Sequence, residues 1–310
     1  MTFLHESVLL KEAIDGLAIK ENGIYIDATF GRGGHSQAIL EKLAPNGRLI
    51  AIDLDPQAIA VSKQAPFVSD SRFEIEQCSF DQLESIVSKR EWLGKVDGIL
   101  FDLGVSSPQL DDPSRGFSFM KEGPLDMRMN PDIGMSAAEW IALAKQSEIA
   151  NVIYQYGEER FSRRIASAIV RAREESPIET TTQLANIIAS AMPKKEKHKH
   201  PATRSFQAIR IFINQELRAI SNALSQVLDV LAIGGRLCVI SFHSLEDRVV
   251  KQFIQRQVKG DDFPPDLPIL PDQINQRFKK IGKMIKASDA EIEQNPRARS
   301  ACLRIAEKIA

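Results

Sequence analysis

Short runs in which every second residue is apolar recur along the first part of the chain and predict β-strands. They cover 24–28, 48–53, 72–78 and 96–102, and a fifth run covers 236–242. Helical segments separate the first four runs, at 33–43, 56–63 and 79–90. Strands that alternate with helices are typical of a parallel sheet with right-handed crossovers. The pattern therefore predicts an α/β fold with a doubly wound sheet.

The alternation stops after Asp102 and resumes only with a long helix predicted over 206–231, which leads into the fifth strand. A loop rich in glycine and proline comes first, at 103–134. Helical segments follow it, and their predicted first residues are Ser136, Ser147, Glu158 and Thr182. We interpret 135–205 as an all-helical domain inserted between the fourth and fifth strands.

The remaining residues, 1–134 and 206–310, are predicted to form the domain that carries the sheet. After the fifth strand, a helix is predicted over 246–257. The runs 279–285 and 301–309 are predicted to pair as a closing hairpin.

The composition indicates a globular, cytoplasmic protein. No apolar run in the 310 residues reaches the roughly 18 residues that a membrane helix needs, and the first residues lack the apolar core of a signal peptide. Cys78, Cys238 and Cys302 lie far apart and are predicted to be reduced. The five histidines are scattered, so no metal site is predicted. The net charge of −1 excludes a protein that is basic overall.

Three glycines follow the first predicted strand and precede a helix, and these are Gly31, Gly33 and Gly34. Glycines at such a turn let the backbone approach a bound nucleotide without a side-chain clash. A dinucleotide-binding loop that began at Gly31 would need its third glycine where Ser36 stands. The sequence therefore disfavours a nicotinamide or flavin enzyme.

Asp53 ends the second predicted strand, about 20 residues after the glycine loop, where an acid binds ribose hydroxyl groups in nucleotide-binding sheets. Its alternative role is to cap the helix that begins at Pro56, but Asp55 already stands at the cap position. Phe80, just past the third strand, either lies against an adenine ring or belongs to the core. These residues predict a ligand with a ribose and a base but no pyrophosphate, and adenosylmethionine meets that description.

The loop after the fourth strand begins with Asp102 and contains Ser106 and Gln109. No cysteine lies near it in the sequence, which disfavours methylation of a pyrimidine carbon, because that reaction usually needs a cysteine nucleophile. An exocyclic amine needs instead an acceptor that orients the NH2 group and receives its developing charge. Asp102 and the adjacent carbonyl groups can supply such acceptors.

The fifth predicted strand ends next to this loop, and His243 follows it. Ser244 and Asp247 have the spacing of a capping box, so His243 is either a residue before a helix cap or a substrate contact. Both roles stay open at this point.

The predicted insertion carries a basic face. On a helix that begins at Glu158, Arg160, Arg164 and Arg171 fall within about 40 degrees of one another. Further basic residues follow them, and these are Lys194, Lys195, Lys197, Lys199, Arg204 and Arg210. A charged face is often only solvated, but its position beside the predicted crevice favours contact with nucleic-acid phosphates.

Long stretches spread over the chain resemble the bacterial 16S ribosomal RNA (cytosine-N4)-methyltransferases, the RsmH or MraW family. Two of them are YIDATFGRGGHS at 25–36 and DLGVSSPQLD at 102–111. The others lie at 5–10, 115–119, 124–128, 156–160, 200–204, 241–248 and 295–300. Matches this long and this dispersed are more specific than a glycine loop alone.

The resemblance implies a Rossmann-like class I methyltransferase fold and the transfer of a methyl group from adenosylmethionine. The acceptor that it implies is the N4 amine of a cytidine in the decoding region of 16S rRNA, in the small ribosomal subunit. It also implies cofactor contacts at Gly33, Gly34, His35, Asp53, Phe80, Asp102 and Gln109.

Two positions depart from the wider methyltransferase class. Thr29 stands where the common loop has its first glycine. Asp102-Leu-Gly104 replaces the Asn/Asp-Pro-Pro-Tyr motif of many amino-methylating enzymes.

We predict that Asp102, Ser106 and His243 act in catalysis, with Asp102 orienting the cytosine amine for direct attack on the methyl group. The residues predicted to contact the RNA are Arg115, Arg128, Arg160, Arg164, Lys199 and Arg204. Neither a metal ion nor a membrane is predicted to take part. The alternatives are a methyltransferase that acts on protein or a small molecule, a non-catalytic RNA-binding protein and a nicotinamide oxidoreductase.

Overall fold

The computed structural model describes residues 7–193, 200–261 and 274–310. Over these residues the chain divides into two compact units. The first unit comprises Met1–Gly104 and Leu217–Ala310, and the second comprises Val105–Glu216. The predicted insertion 135–205 lies within the second unit, which extends past it at both ends.

The second unit is larger than the predicted insertion because segments on both sides of it contribute to one apolar core. Leu125 and Met127 belong to the predicted loop 103–134, yet both are buried in this core. On the other side, Phe206 is buried in the same core although it was assigned to the sheet domain. Apolar side chains that share one core fold as one unit.

The first unit is built on a mixed sheet. Its described strands are β1 (Ile24–Asp27), β2 (Arg48–Asp53), β3 (Phe73–Gln77), β4 (Val96–Asp102), β5 (Leu231–Ser241), β6 (Phe278–Lys280), β7 (Ile285–Lys286) and β8 (Cys302–Lys308). Their order is β3-β2-β1-β4-β5-β8-β6, and β7 also pairs with β8. The pairs among β1 to β5 are parallel, whereas β8 runs antiparallel to β5, β6 and β7.

Side chains alternate between two apolar cores along the central strands. On β1, Tyr25 faces one core and Ile26 faces the other, and on β2 Leu49 and Ile50 divide in the same way. All four side chains are buried. Both faces of the sheet are therefore covered, as in a doubly wound α/β protein. The fold predicted from the sequence, a doubly wound α/β sheet with an inserted helical part, is confirmed.

The described helices follow the chain in this order: α1 (Leu10–Leu17), α2 (Gly34–Leu40), α3 (Pro56–Ser62), α4 (Leu83–Ser88), α5 (Ser107–Asp111), α6 (Ala137–Leu143), α7 (Gln146–Gly157), α8 (Ser162–Glu175), α9 (Thr181–Ala191), α10 (Thr203–Ile213), α11 (Glu216–Val230), α12 (Ser244–Lys259) and α13 (Asp289–Gln294). No helix in these ranges is long and apolar enough to cross a lipid bilayer.

The single helix predicted over 206–231 is wrong, because the chain forms two helices, α10 and α11, in this region. Gln215, between them, has a φ of 51°, a left-handed conformation that ends a helix. The side chain of Asn214 accepts a hydrogen bond from Met129 N (2.7 Å) and donates one to Met127 O (2.7 Å). These bonds to a segment distant in sequence favour the break.

The closing hairpin is confirmed, although its first strand is in two pieces. Both β6 and β7 pair with β8, and the chain turns between them at Gly282, which has a φ of 67°. β8 in turn pairs with β5 over 302–307, so the hairpin extends the sheet beyond its parallel part.

Candidate active site

Three carboxyl groups lie at one edge of the sheet in the first unit. Asp27, Asp53 and Asp102 are the last residues of β1, β2 and β4, and these strands are parallel neighbours. The carboxyl ends of parallel strands form the crevice in which open α/β sheets bind ligands. The structure therefore places a candidate ligand site where the sequence predicts one.

The glycine loop leaves β1 with a backbone that only glycine adopts readily. Gly31 and Gly33 have φ values of 54° and 80°, in the left-handed region. At Gly34 a Cβ atom would lie 2.2 Å from Ser7 Oγ, so a side chain would clash. At Gly31, in contrast, a Cβ atom would have no neighbour within 4 Å. The loop is thus closed by packing at Gly34 and open at Gly31.

Asp53 holds this loop against the next strand. Its Oδ2 accepts a hydrogen bond from Gly31 N (2.8 Å) and its Oδ1 accepts one from Asp55 N (2.9 Å). Asp55 caps α3 by accepting a hydrogen bond from Gln57 N (2.9 Å). Asp53 is therefore not the cap of this helix. Each oxygen of Asp53 keeps a further acceptor position, which suits a vicinal diol. Burial raises the pKa of Asp53 to about 6, against the effect of its backbone hydrogen bonds.

Asp27 is a functional candidate that our sequence reasoning missed. Its side chain is fully buried, and its Oδ2 accepts a hydrogen bond from Ser36 Oγ (2.6 Å). Burial raises its pKa to about 7 despite this bond. Ser36, the residue that breaks the dinucleotide pattern, thus ties α2 to the end of β1. An acid that ends an apolar strand is the signal that could have identified Asp27.

Asp102 is held through its backbone and surrounded by weak partners. Its N–H donates to Thr29 Oγ1 at 2.6 Å. Its Oδ2 lies 3.8 Å from His35 Nδ1, and its Oδ1 is buried with no hydrogen-bond partner among the described residues, although the side chain as a whole is 24% exposed. Burial, and then the nearby charges of Asp27 and Glu246, raise the pKa of Asp102 well above its usual range.

His35 does not supply a positive charge to this site. The side chain is 4% exposed, and its Nε2 has no hydrogen-bond partner in the part of the chain that the structure describes. Burial lowers the pKa of His35 to about 4, against a hydrogen bond to the Val8 backbone, so the imidazole is neutral near pH 7. Within the described residues, no lysine or arginine forms an ion pair with Asp27, Asp53 or Asp102. The crevice is therefore acidic and suits a ligand that brings a positive charge.

His243 lies at the end of β5 and is itself the cap of α12. Its Nδ1 accepts from Glu246 N (3.4 Å), and Glu246 Oε2 accepts from the backbone N–H of Phe242 (2.8 Å). The predicted capping box of Ser244 and Asp247 is wrong, because His243 and Glu246 form it. The imidazole is thus used in the structure of the helix end, and a substrate contact by His243 stays a prediction.

Phe80 packs on the sheet, with its ring 5.6 Å from that of Phe101 in a perpendicular arrangement. It is partly buried against the core on that face. The ring thus contacts the apolar core on one side, and a contact with an adenine ring stays a prediction.

Cys302 lies closer to the crevice than its position in the sequence suggests, because β8 places it opposite Ser241 at the end of β5. Its thiol donates a hydrogen bond to Asp247 Oδ1 (3.2 Å), and burial, together with this bond, raises its pKa to about 12. A thiol in this state is protonated and is a poor nucleophile. All three cysteines are free, as predicted.

Ser106 and Gln109 belong to the second unit. Ser106 is the N-cap of α5, and its N–H donates to Gln109 Oε1 at 2.9 Å. Gln109 is buried. This reciprocal pairing is sufficient to explain both residues as a helix cap, so catalysis by Ser106 and a cofactor contact by Gln109 stay predictions.

Two of the arginines predicted to contact RNA are used inside the second unit. Arg115 is buried and donates to the carbonyl oxygens of Arg128 (3.1 Å) and Met129 (2.8 Å). Arg128 forms a two-point ion pair with Asp126, with bonds of 2.8 and 2.6 Å. Arg115 therefore helps to hold its loop and the charge of Arg128 is matched by a neighbouring acid, so a contact of either residue with RNA stays a prediction.

The helix predicted from Glu158 begins instead at Ser162, because Glu158 has a φ of 50° and ends α7. Arg160 therefore precedes α8 and lies over the ring of Phe161, 4.7 Å from its centre. Arg164 and Arg171 remain exposed on one side of α8. These two make no ion pair or hydrogen bond with another described side chain, which leaves their charge available.

The remaining predicted basic contacts divide into two groups. Arg204 forms an ion pair with the buried Glu159 at 3.8 Å, and Arg210 pairs with Glu216 at 2.8 Å. Lys199, like Lys194, Lys195 and Lys197, lies outside the described residues.

Comparison with known proteins adds independent evidence. The sequence profile of the MraW methylase family matches residues 2–309. The ribosomal RNA small subunit methyltransferase H of Pseudoalteromonas atlantica is 59% identical over 307 residues, which is 98% of each chain. The protein of the same name from Thioalkalivibrio sulfidiphilus is 56% identical over 99% of this chain and 98% of its own, and that from Coxiella burnetii is 57% identical over 98% and 99%.

The family profile spans nearly the whole chain, and the relatives share more than half of its residues. The chain belongs to the MraW methylase family.

Proposed function

We propose that this protein transfers a methyl group from adenosylmethionine to the N4 amine of a cytidine in the decoding region of 16S rRNA, within the small ribosomal subunit. Family membership and the names of the relatives support a methyltransferase that acts on this RNA. The observation that carries the choice of acceptor is Asp102, a carboxyl group at the edge of the crevice with a buried oxygen that accepts no hydrogen bond from any described residue.

The residues of the crevice fit the cofactor. Gly31 leaves open space beside the loop, and Asp53 has acceptor positions left for the ribose hydroxyl groups. Bound adenosylmethionine supplies an electrophilic methyl group on a sulfonium cation. A cation is what Asp27 and Asp102 lack among their protein neighbours, and its charge would lower their raised pKa values.

Asp102 has the position of the group that orients the amine. The nitrogen of an exocyclic amine is a weak nucleophile because its lone pair is delocalised into the ring. A carboxylate that accepts one N–H hydrogen bond aligns the lone pair with the methyl group, and it can take the proton that the amine loses after transfer. This chemistry needs no covalent intermediate. Cys78 and Cys302, which lie near the strand ends, agree with that, because burial raises the pKa of each thiol, to about 11 and about 12, and keeps it protonated.

The test of the function is methyl transfer to a defined nucleoside. Small ribosomal subunits that lack the modification are incubated with the protein and adenosylmethionine labelled in the methyl group, and the RNA is digested to nucleosides. We expect label in N4-methylcytidine from the decoding region, with no label when large subunits are used. Label in 5-methylcytidine would contradict the choice of the amine, and label in ribosomal protein would favour the alternative that the substrate is a protein.

Replacing Asp102 by alanine or asparagine should lower kcat far more than it lowers cofactor affinity. General acid–base groups contribute about 10²–10⁴-fold to rate, so a loss in this range is expected. The measurement is kcat with small subunits, compared with the Kd of adenosylmethionine from calorimetry. Turnover close to that of the unchanged protein would exclude the role of Asp102.

Replacing Asp53 by asparagine should weaken cofactor binding and reduce its dependence on pH near 6. With a pKa of about 6, Asp53 is ionised above that pH, and protonation below it replaces an acceptor by a donor. The Kd of the unchanged protein should therefore rise as the pH falls through 6, and Asp53→Asn should raise Kd about 10–100-fold at pH 8. The control is Asp229→Asn, which removes the same charge from an exposed position on α11. Equal Kd values for Asp53→Asn and the control would exclude a ribose contact.

The double reversal Arg164→Glu with Arg171→Glu should weaken RNA binding and flatten its salt dependence. Each lost phosphate contact lowers the slope of log affinity against log salt concentration by about 0.7–0.9. The control is Lys89→Glu with Lys95→Glu, an equal change of charge at exposed positions of the first unit. If both double variants weaken binding to the same extent, the effect is one of overall charge and not of a contact by α8.

A further inference from the structure

Thr29 occupies the position at which the common methyltransferase loop has its first glycine, and its side chain has a partner in this structure. The backbone N–H of Asp102 donates a hydrogen bond to Thr29 Oγ1 at 2.6 Å. The bond joins the loop that follows β1 to the last residue of β4. Glycine has no side-chain acceptor at this position, so the bond exists because of the threonine.

The turn of the chain after β1 explains why a side chain is needed there. Ala28 N still donates to Leu100 O on β4 (2.9 Å), whereas Phe30 N donates to Ile52 O on β2 (2.9 Å). The backbone thus changes partner strand between these two residues. Asp102, the next donor on β4 that faces β1, bonds to the hydroxyl group of Thr29 and not to a backbone carbonyl. A side-chain oxygen therefore continues the β1–β4 ladder by one step.

The carboxyl group of Asp102 depends on this backbone anchor because it has no strong anchor of its own. No described donor forms a hydrogen bond to its Oδ1, and the nearest basic group, His35 Nδ1, lies 3.8 Å from its Oδ2. On the other side of the residue, Leu103 N donates to Ile240 O on β5 (3.0 Å). The position of the carboxyl group is thus set by two backbone bonds, of which the one to Thr29 is the only one that a side-chain substitution can remove.

Thr29 also contacts the second carboxyl group of the cluster. Its own N–H donates to Asp27 Oδ1 at 3.2 Å. One residue of the glycine loop therefore fixes the spacing between the buried Asp27 and the partly exposed Asp102. Movement of the loop would be passed to both carboxyl groups.

We propose that the hydroxyl group of Thr29 is a positioning group that aims the carboxyl group of Asp102 at the methyl acceptor. The inference rests on the proposed function, since it gives Thr29 a role only through Asp102. It also explains the departure from glycine at this position, since a loop with glycine would leave Asp102 N–H without the acceptor that it has here.

The test compares Thr29→Val, which keeps the size and β-branching but lacks the acceptor, with Thr29→Ser, which keeps the hydroxyl group. Misplacing a reacting group by about 1 Å can cost about 10²-fold in rate, so we expect Thr29→Val to lower kcat about 10–100-fold. The KM for adenosylmethionine should stay within about twofold, because the acids that face the cofactor are unchanged. Thr29→Ser should restore kcat to near that of the unchanged protein.

Amide hydrogen exchange of Asp102 gives a readout that does not depend on activity. Its N–H should be protected in the unchanged protein and in Thr29→Ser, and should lose protection in Thr29→Val. Lost protection with unchanged kcat in Thr29→Val would overturn the proposal, and so would equal losses of kcat in the two variants. If Thr29→Val does not fold, as judged by thermal unfolding, Thr29→Ala serves as the variant that lacks the acceptor.

A double variant separates this proposal from the proposed function. In an Asp102→Asn background, Thr29→Val should cause no further loss of kcat, because a positioning group cannot act on a carboxyl group that is absent. Losses that multiply would overturn the proposal while leaving the role of Asp102 intact. If Asp102→Asn alone keeps full turnover, the proposed function of Asp102 fails, whereas the hydrogen-exchange result for Thr29 still stands.

Discussion

The site depends on the burial of three carboxyl groups at the ends of adjacent parallel strands. Burial disfavours the charged form of each group, and the pKa values of Asp27 and Asp53 rise to about 7 and about 6 from an ordinary value of 3.8. In the free protein these carboxyl groups hold protons more tightly when folded than when unfolded. Their contribution to stability is therefore present at low pH and is lost as the pH rises from about 4 through about 7. The folded protein is therefore less stable near pH 7, where these carboxyl groups ionise and can bind a cation.

A ligand with a positive charge favours the ionised form of these carboxyl groups, which burial disfavours. The protein offers the acids hydrogen bonds from Ser36 and from backbone N–H groups, but within the described residues it offers Asp27, Asp53 and Asp102 no lysine or arginine partner. A buried lysine or arginine would stabilise the free fold and compete with the cofactor for the same charge. Because the acids have no such partner, a bound cation reduces the repulsion between them. The neutral state of His35 belongs to the same arrangement, since a protonated imidazole beside Asp102 would satisfy it in advance.

The sequence predicts those features that arise from local pattern. The parallel strands and the glycine loop were predictable because alternation of apolar residues and turn glycines act over a few residues. A ribose contact could be predicted for Asp53 because Asp55 already stands at the helix-cap position. The structure confirms that Asp55 caps α3. Features set by distant contacts could not be predicted in this way. The break between α10 and α11 depends on bonds from Asn214 to Met127 and Met129, residues that no local pattern associates with it.

The same distinction explains why the predicted RNA-contacting arginines lie in different environments. Arg115 and Arg164 are both arginines for which the sequence predicts a contact with RNA. Arg115 is buried because backbone carbonyl groups of 128 and 129 converge on its guanidinium group, whereas Arg164 remains on the surface of α8. Sequence identifies the charge, but only the fold shows whether a backbone acceptor is within reach. Thr29 is a similar example. Its hydroxyl group accepts a hydrogen bond from Asp102 N because the fold places β4 beside β1.

The two units also differ in the sign of their local charge. The crevice of the first unit holds uncompensated acids and suits one small cation, whereas α8 of the second unit presents unpaired arginines that suit a polyanion. With a net charge of −1, the protein as a whole neither attracts nor repels RNA strongly. Selectivity must then come from local fields, which salt screens beyond about 8 Å at physiological ionic strength. The acids of the crevice and the arginines of α8 each belong to one unit, so each local field is set by the residues of that unit and not by the overall charge.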